Sequence, residues 1–178
     1  MKILLTGGAG YIGSHVAAAL IAEKHDVVCF DNLSNSDVSV MDHLEAITGT
    51  AVPLVEGDIR DGDALRRVMR EHQVEAVIHF AGLKAVGESV AEPINYYDNN
   101  VRGTLSLLEA MRDCGTKTLV FSSSATVYGQ PQYLPLDENH PTSATNPYGR
   151  TKLMIEEMLA DVAAADPEWR IAILRYFN

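Results

Sequence analysis

The amino-acid sequence predicts an α/β protein built on a doubly wound parallel sheet. Short runs that are almost continuously apolar alternate with longer amphipathic runs, and a glycine-rich turn follows the first apolar run. Strands covered on both faces of a parallel sheet are apolar along their whole length. Strands that alternate with helices are typical of βαβ units, so these observations favour a sheet with helices on both faces.

Six apolar runs are predicted strands, at residues 2–6, 26–30, 52–55, 76–80, 118–122 and 170–175. Residues 13–24, 63–71, 93–114 and 148–165 have the apolar spacing of amphipathic helices, and Gly115 is a suitable end for the third. Residues 32–40 and the proline-rich residues 129–147 are predicted loops. Loops of this length in a compact domain are often functional.

Length and charge exclude several classes of protein. The chain has 178 residues, enough for one domain with a hydrophobic core, and no apolar run is long enough to span a bilayer. Its formal net charge of −10 argues against nucleic acid or an anionic membrane as a partner. Cys29 and Cys114 lack metal-ligand spacing and are interpreted as two buried thiols. We therefore expect a cytoplasmic protein without a metal site.

The first predicted strand runs directly into the sequence TGGAGYIG at residues 6–13. Gly8, Gly10 and Gly13 satisfy G-x-G-x-x-G, and Gly7 begins an overlapping G-x-x-G-x-x-G. Without Cβ atoms the backbone can approach a pyrophosphate, and the following helix N-terminus supplies N–H donors. Such a turn can also merely close a strand–helix corner. Its position in the first βαβ unit favours a dinucleotide site, as in a Rossmann fold.

Asp31 follows the second predicted strand, 18 residues after Gly13. A carboxylate there can accept hydrogen bonds from the adenosine ribose, and it repels a 2′-phosphate. No Lys or Arg occurs between Asp31 and Arg60 to neutralise such a phosphate. The expected cofactor is therefore NAD rather than NADP. A capping role in the loop is the alternative for Asp31.

Residues at two other places have the composition of a proton-transfer site. The fifth predicted strand leads into Ser122 and Ser124, and Tyr148 and Lys152 follow as Y-x-x-x-K, on one face of a helix. A phenol titrates near about 10 in water. An adjacent ammonium and a positive nicotinamide ring are expected to lower its pKa. An ordinary surface pair is the alternative. The context favours an acid/base at Tyr148 that supports hydride transfer between a carbinol carbon and NAD.

Longer motifs that are typical of one protein family occur along the whole chain. They are TGGAGYIG at 6–13, DNLSNS at 31–36, EGDIR at 56–60, HFAGLKAVGES at 79–89, YYDNN at 96–100, FSSSATVYG at 121–129 and LRYFN at 174–178. On these motifs the chain resembles the NAD-binding half of the nucleotide-sugar epimerases, in the extended short-chain dehydrogenase/reductase family. The resemblance implies interconversion of UDP-galactose and UDP-glucose by transient oxidation at C4, with tightly bound NAD.

The resemblance also implies roles for individual residues. Tyr148, Ser124 and Lys152 would be catalytic, and Ser124, Tyr148, Lys84 and Asn178 would contact the substrate. The implied cofactor residues are Gly7, Gly10, Tyr11, Ile12, Gly13, Asp31, Asn32, Leu33, Ser34, Asn35, Ser36, Asp58, Ile59, Phe80, Ala81, Gly82, Leu83, Lys84, Asn99, Ser122, Ser124, Tyr148, Lys152 and Phe177. His79 lies in an apolar strand and is interpreted as a hydrogen-bonded core residue.

Other functions stay open at this point. Dehydratases of the same fold carry an Asp-Glu pair after the strand-end Ser or Thr, where this chain has Ala125 and Thr126, so the acid and base for elimination are missing. A net oxidoreductase that exchanges free NAD is a second alternative. A nucleotide-binding module without activity is a third.

The chain stops soon after its last predicted strand, although a core strand should lead into further structure. We expect residues 1–178 to be the NAD-binding domain of a longer protein whose substrate domain follows, with a naturally short version as the alternative. The resemblance implies a homodimer through an intersubunit bundle of helices 93–114 and 148–165. Alternatively, their apolar stripes only cover the sheet. Exposed Leu, Met or Ala on their outer faces favours the dimer.

Overall fold

The computed structural model describes residues 1–177, and these contain the predicted doubly wound sheet. The six parallel strands are β1 (Lys2–Thr6), β2 (Asp26–Asp31), β3 (Leu54–Glu56), β4 (Ala76–His79), β5 (Thr118–Ser124) and β6 (Arg170–Tyr176). Their order is β3-β2-β1-β4-β5-β6. The chain therefore moves outward from β1 in both directions. Ligands of such sheets bind at the carboxyl ends of the strands beside this switch point, between β1 and β4.

Seven α-helices in the described residues connect the strands. They are α1 (Tyr11–Ala22), α2 (Ser39–Thr48), α3 (Gly62–Glu71), α4 (Val86–Ala91), α5 (Pro93–Tyr96), α6 (Gly103–Cys114) and α7 (Pro147–Ala165). A π-helical turn (Tyr97–Arg102) joins α5 to α6, and a 3₁₀ turn (Ala125–Tyr128) follows β5. None of the helices in residues 1–177 is long and apolar enough to cross a membrane.

Some predicted boundaries were wrong for local reasons. The first helix begins at Tyr11 rather than residue 13 and ends at Ala22, because Lys24 adopts a left-handed φ of 63°. The third strand lies at Leu54–Glu56 rather than at residues 52–55. Helices α2 and α4 were not predicted. Val40, Leu44 and Ile47 of α2 do have helical spacing, but residues 32–40 were predicted as a loop that overlaps its first turn, and α4 is only 6 residues long.

The core has one layer on each face of the sheet. Alternate residues of β1 point to opposite faces, as a strand requires. Ile3 and Leu5 join the layer under α1 and α2, whereas Leu4 joins the larger layer under α3, α6 and α7. Of the two thiols, Cys29 is fully buried in the first layer and Cys114 is only half-buried. The prediction of two buried thiols was therefore wrong for Cys114, which lies at the outer end of α6.

His79 is a buried, hydrogen-bonded residue at the end of β4, as interpreted from the sequence. Its Nδ1 lies 2.6 Å from Thr6 Oγ1, and its Nε2 lies 3.0 Å from Thr104 Oγ1. Burial lowers the pKa of His79 to about 3. The neutral imidazole thus joins β1 and β4 to α6 directly beneath the switch point.

Candidate functional site

The glycine-rich turn lies at the carboxyl end of β1. Gly7 has a φ of +71°, and its N–H donates to the Phe30 carbonyl over 2.8 Å. A Cβ on Gly7 would come within 2.7 Å of the Ala81 nitrogen, and one on Gly13 would meet the Gly7 carbonyl. Gly10 caps α1 without a side chain. The first N–H groups of α1 are therefore available to an anion in the adjoining space.

Asp31 ends β2 with a buried carboxylate that has three donors. Oδ2 accepts a hydrogen bond from the Ala9 N–H over 3.0 Å, and Oδ1 accepts from the Leu33 N–H and the Ser36 hydroxyl, each over 2.9 Å. The carboxylate also lines the cleft beside the glycine-rich turn. Asp31 therefore caps the loop and also faces the cleft, and its contact with an adenosine ribose stays a prediction.

A cleft of about 380 Å³ extends over the carboxyl ends of β1, β2 and β4. All of the predicted cofactor residues line it except Leu33, Asp58, Ser124, Tyr148, Lys152 and Phe177. Asn178 lies outside the described residues. Four lining residues were not predicted, namely Phe30, Gly57, Ala85 and Glu88. The motifs EGDIR and HFAGLKAVGES contain three of these, and Phe30 precedes Asp31 at the strand end.

Asp58 lies beside the cleft with its carboxylate engaged by Arg60. Arg60 Nε donates to Asp58 Oδ1 over 2.9 Å and Nη2 donates to Oδ2 over 2.7 Å. The guanidinium holds the pKa of Asp58 at about 2, and it also bonds Asp98 over 2.7 Å. The Asp58 carboxylate is thus bound to Arg60 and does not line the cleft, whereas Ile59 does.

The first turn of α7 carries Tyr148. Asn146 caps the helix by accepting a hydrogen bond from the Gly149 N–H over 2.8 Å, and Pro147 occupies the first helical position. Ser124 caps the 3₁₀ turn, since its hydroxyl oxygen accepts from the Thr126 N–H over 3.2 Å. The phenol of Tyr148 is half-buried, and this burial raises its pKa, while the Ser124 hydroxyl acts in the opposite direction.

Lys152 lies one turn further along α7 and is only 6% exposed. Its ammonium donates to the Ser122 carbonyl over 2.8 Å and lies 4.7 Å from the centre of the Phe121 ring. Burial lowers the pKa of Lys152 to about 8. Within the protein itself, burial of the phenol outweighs the Ser124 hydroxyl and raises the pKa of Tyr148, and the Lys152 ammonium is directed to the Ser122 carbonyl. The lowering expected from an ammonium together with a nicotinamide ring stays a prediction.

These features agree with a comparison against known families. A sequence profile of the NAD dependent epimerase/dehydratase family matches residues 3–178. The chain belongs to this family. It is 54% identical over 178 residues to the UDP-glucose 4-epimerase of Bacillus subtilis, and 53% identical to that of Neisseria meningitidis serogroup C. These alignments cover 99–100% of this chain and 52% of each relative. The chain thus spans about half the length of the curated relatives it matches.

Solved structures of family members superpose closely on the chain. One is the UDP-glucose-4-epimerase of Stenotrophomonas maltophila with bound NAD and formylated UDP-arabinopyranose, with a TM-score of 0.98 and 52% identity. Another is the Bifidobacterium longum UDP-glucose 4-epimerase in complex with NAD+ and UDP, with a TM-score of 0.98 and 51% identity. Both cover 100% of this chain, which covers 53% of each.

One residue that was not predicted as part of the site, Asn100, lies on the π-helical turn and connects several elements. The buried Asn100 accepts a hydrogen bond from the Leu83 N–H over 2.8 Å, and its amide donates to the Leu83 carbonyl over 2.9 Å. The same amide donates to Thr151 Oγ1 on α7 over 3.1 Å. Asn100 therefore joins the cleft loop to the helix of Tyr148. Its place in YYDNN, next to the predicted Asn99, was the available signal.

Proposed function

We propose that the chain is the NAD-binding half of an enzyme that interconverts UDP-glucose and UDP-galactose. One observation carries the proposal. Ser122 lines the dinucleotide-type cleft, and its carbonyl holds the Lys152 ammonium over 2.8 Å. Lys152 of the Y-x-x-x-K pair is therefore joined directly to a residue that lines the cleft. Relatives that are 53–54% identical over this region are UDP-glucose 4-epimerases, which supports the same reaction here.

The cleft fits NAD on the chemistry of its donors. The available N–H groups at the start of α1 suit a pyrophosphate, and Gly7 and Gly13 allow the tight backbone packing that shapes the turn, because a Cβ at either would meet backbone atoms. The Asp31 carboxylate suits ribose hydroxyls and opposes a 2′-phosphate. Asp58 and Ile59 would lie at the adenine. Phe177, which follows β6, would border the nicotinamide.

Tyr148 would be the acid/base of the reaction. Its phenolate oxygen would accept the proton of the sugar C4 hydroxyl and later return it, while Ser124 holds that sugar hydroxyl in place. The Lys152 ammonium would favour the phenolate. NAD, when bound, would supply a reversible hydride acceptor for the sugar C4, which is the redox chemistry that inversion at this carbon needs. Lys84 and Asn178 would contact the nucleotide-sugar.

The 3₁₀ turn bears on the choice between epimerase and dehydratase. Ala125 and Thr126 follow Ser124 in this turn, so no carboxylate is present where elimination of water needs an acid and a base. A proton moved by Tyr148 and a hydride moved at C4 are sufficient for epimerisation. The side chains of this chain therefore favour the epimerase.

We also propose that the protein forms a homodimer through residues 93–114 and 148–165. Ile94 is 83% exposed and Leu105 is 46% exposed, and Tyr97 is also exposed between them. The π-helical turn packs against α5, α6 and α7, so the helices that carry these apolar side chains are neighbours of α7 or of its packing partners. An apolar surface on a helix pair suits a symmetric copy of itself.

Calorimetric titration of the 178-residue chain with NAD and then NADP tests the cofactor proposal. We expect NAD to bind and NADP to bind at least about tenfold more weakly, because Asp31 opposes the 2′-phosphate. Equal affinity for the two cofactors would contradict the role of Asp31. Absence of NAD binding by a chain that is folded by circular dichroism would contradict a cofactor site in this half.

A further inference from the structure

A buried acidic residue near Tyr148 and Lys152 has no role in the mechanism above. Glu156 lies on α7 one turn after Lys152 and is 7% exposed. Its carboxylate accepts hydrogen bonds from the Ser123 hydroxyl on β5 and from Arg175 on β6, with Arg175 Nη2 at 2.7 Å from Oε2. Buried ion pairs persist only where geometry and extra hydrogen bonds offset desolvation. This pair therefore fastens α7 to both strands at their carboxyl ends.

Arg175 continues the same set of contacts toward the end of β6. Its guanidinium carbon lies 4.7 Å from the centre of the Tyr128 ring, and that ring lies 6.1 Å from the ring of Phe177. Glu156 is thus connected through Arg175 to the residue that would border the nicotinamide. A displacement of α7 relative to β6 would therefore move Tyr148 and Lys152 relative to Phe177.

The charge of Glu156 also acts on Lys152. The direct partners of the Lys152 ammonium are neutral, being the Ser122 carbonyl and the Phe121 ring. Burial lowers the pKa of Lys152, and the negative charge of Glu156 opposes this shift. Glu156 therefore helps Lys152 to remain an ammonium although it is enclosed.

Other ionisable groups around α7 do not replace Glu156. They are His79 on β4, Glu88 on α4, Tyr96 on α5, Asp98 on the π-helical turn, Tyr128 on the 3₁₀ turn and Arg175 on β6. His79 is neutral. Glu88 accepts a hydrogen bond from Tyr96 over 2.7 Å, and Asp98 is paired with two arginines. Glu156 is therefore the acidic group near α7 whose charge raises the pKa of Lys152.

We propose that Glu156 is a positioning residue for the proton transfer, fixing α7 against β5 and β6 and supporting the Lys152 ammonium one helical turn from Tyr148. This inference rests on the proposed function, in which Tyr148 moves the proton.

The test replaces Glu156→Gln in the full-length enzyme. Glutamine keeps the shape and can still accept from Ser123, but it removes the charge. Because that charge raises the pKa of Lys152, the ammonium should lose its proton at lower pH, and the alkaline limb of kcat should move the same way. We expect kcat to fall roughly tenfold, with KM for UDP-galactose within about twofold. Glu157→Gln is the matched control, since Glu157 is the exposed neighbour on α7, and it should leave the profile unchanged.

A second readout does not depend on activity. Titration of the Lys152 side chain can be followed by carbon NMR in cofactor-free protein with labelled lysine, because the chain has only five lysines and Lys152→Arg identifies the signal. The Lys152 titration should move to lower pH in Glu156→Gln. An unchanged titration, or an equal shift in Glu157→Gln, would overturn the inference. Movement of the titration in a protein without epimerase activity would uphold the charge effect and contradict the proposed function instead.

Arg175→Lys covers the case in which Glu156→Gln does not fold. This variant keeps the Glu156 charge and a cation beside it, but loses the two-pronged contact of the guanidinium. We expect lower thermal stability with an unchanged Lys152 titration. A shift of that titration to lower pH in Arg175→Lys would show that Glu156 does not set the charge state of Lys152.

Discussion

The carboxylate of Asp31 stabilises the loop after β2 by hydrogen bonds and also lines the cleft. Two of its donors, the Leu33 N–H and the Ser36 hydroxyl, belong to the loop that follows β2, and the third belongs to the glycine-rich turn at Ala9. The spacing from Gly13 could predict a carboxylate at this place. It could not predict the three donors, because they come together only when the loop folds back over the strand end.

At Tyr148 the phenol is the group on which the proposed reaction depends. Tyr148→Phe removes the hydroxyl and keeps the ring, so NAD affinity should stay within about twofold. Turnover of UDP-galactose by the full-length protein should fall by about 100- to 10,000-fold, the range for loss of a general acid/base.

Tyr97→Phe is the control for that variant, since Tyr97 is an exposed tyrosine of the π-helical turn. It should keep normal turnover. Near-normal turnover in Tyr148→Phe, measured with the cofactor content matched to the wild type, would remove Tyr148 as the acid/base.

Among the elements, the segment 93–114 departs most clearly from its predicted form. The apolar period predicts one continuous helix, whereas the structure has α5, a π-helical turn and α6. A turn with i→i+5 bonds changes the direction of side chains without interrupting the apolar pattern, and such turns are frequent at functional sites. Here the turn directs Asn100 to Leu83 and Thr151. Periodicity could not have predicted it, since the bonds that stabilise Asn100 reach 17 and 51 residues along the chain.

The contact between the glycine-rich turn and α1 makes a sharp prediction for Gly13→Ala. The added Cβ would meet the Gly7 carbonyl and approach the Gly8 Cα within 2.8 Å, both of them backbone atoms that cannot rotate away. We expect the turn to shift, the free energy of unfolding to fall by about 1–3 kcal/mol, and NAD affinity to fall at least about tenfold. Urea unfolding and NAD titration of the chain measure these effects.

Gly87→Ala is the matched control, because a Cβ at this helical position of α4 has open space around it. It should stabilise the chain slightly or leave it unchanged. Unchanged NAD affinity in Gly13→Ala would show that the turn does not approach the cofactor.

For the whole molecule, the proposed dimer makes a prediction about Leu105→Glu. A charge at this exposed position of α6 would be buried against a second copy, so we expect the full-length protein to shift from dimer toward monomer, with the dimer dissociation constant raised at least about tenfold. Sedimentation velocity over a range of concentrations measures this.

Ile47→Glu is the comparison variant, because Ile47 is 77% exposed on α2, away from both helices of the proposed interface. It should leave the dimer intact. An intact dimer in Leu105→Glu, or a wild-type monomer at micromolar concentration, would contradict the proposed interface.

Local pattern was sufficient for a large part of this protein. The parallel strands, the glycine-rich turn, Asp31 at a strand end and the spacing of Tyr148 and Lys152 were predictable, because each depends on neighbours in the chain or on one helical turn. The tertiary structure alone decided that Lys152 binds Ser122, that Glu156 joins Ser123 to Arg175 and that burial raises the pKa of Tyr148. These contacts join residues far apart in sequence, and a pKa follows the surroundings that packing creates.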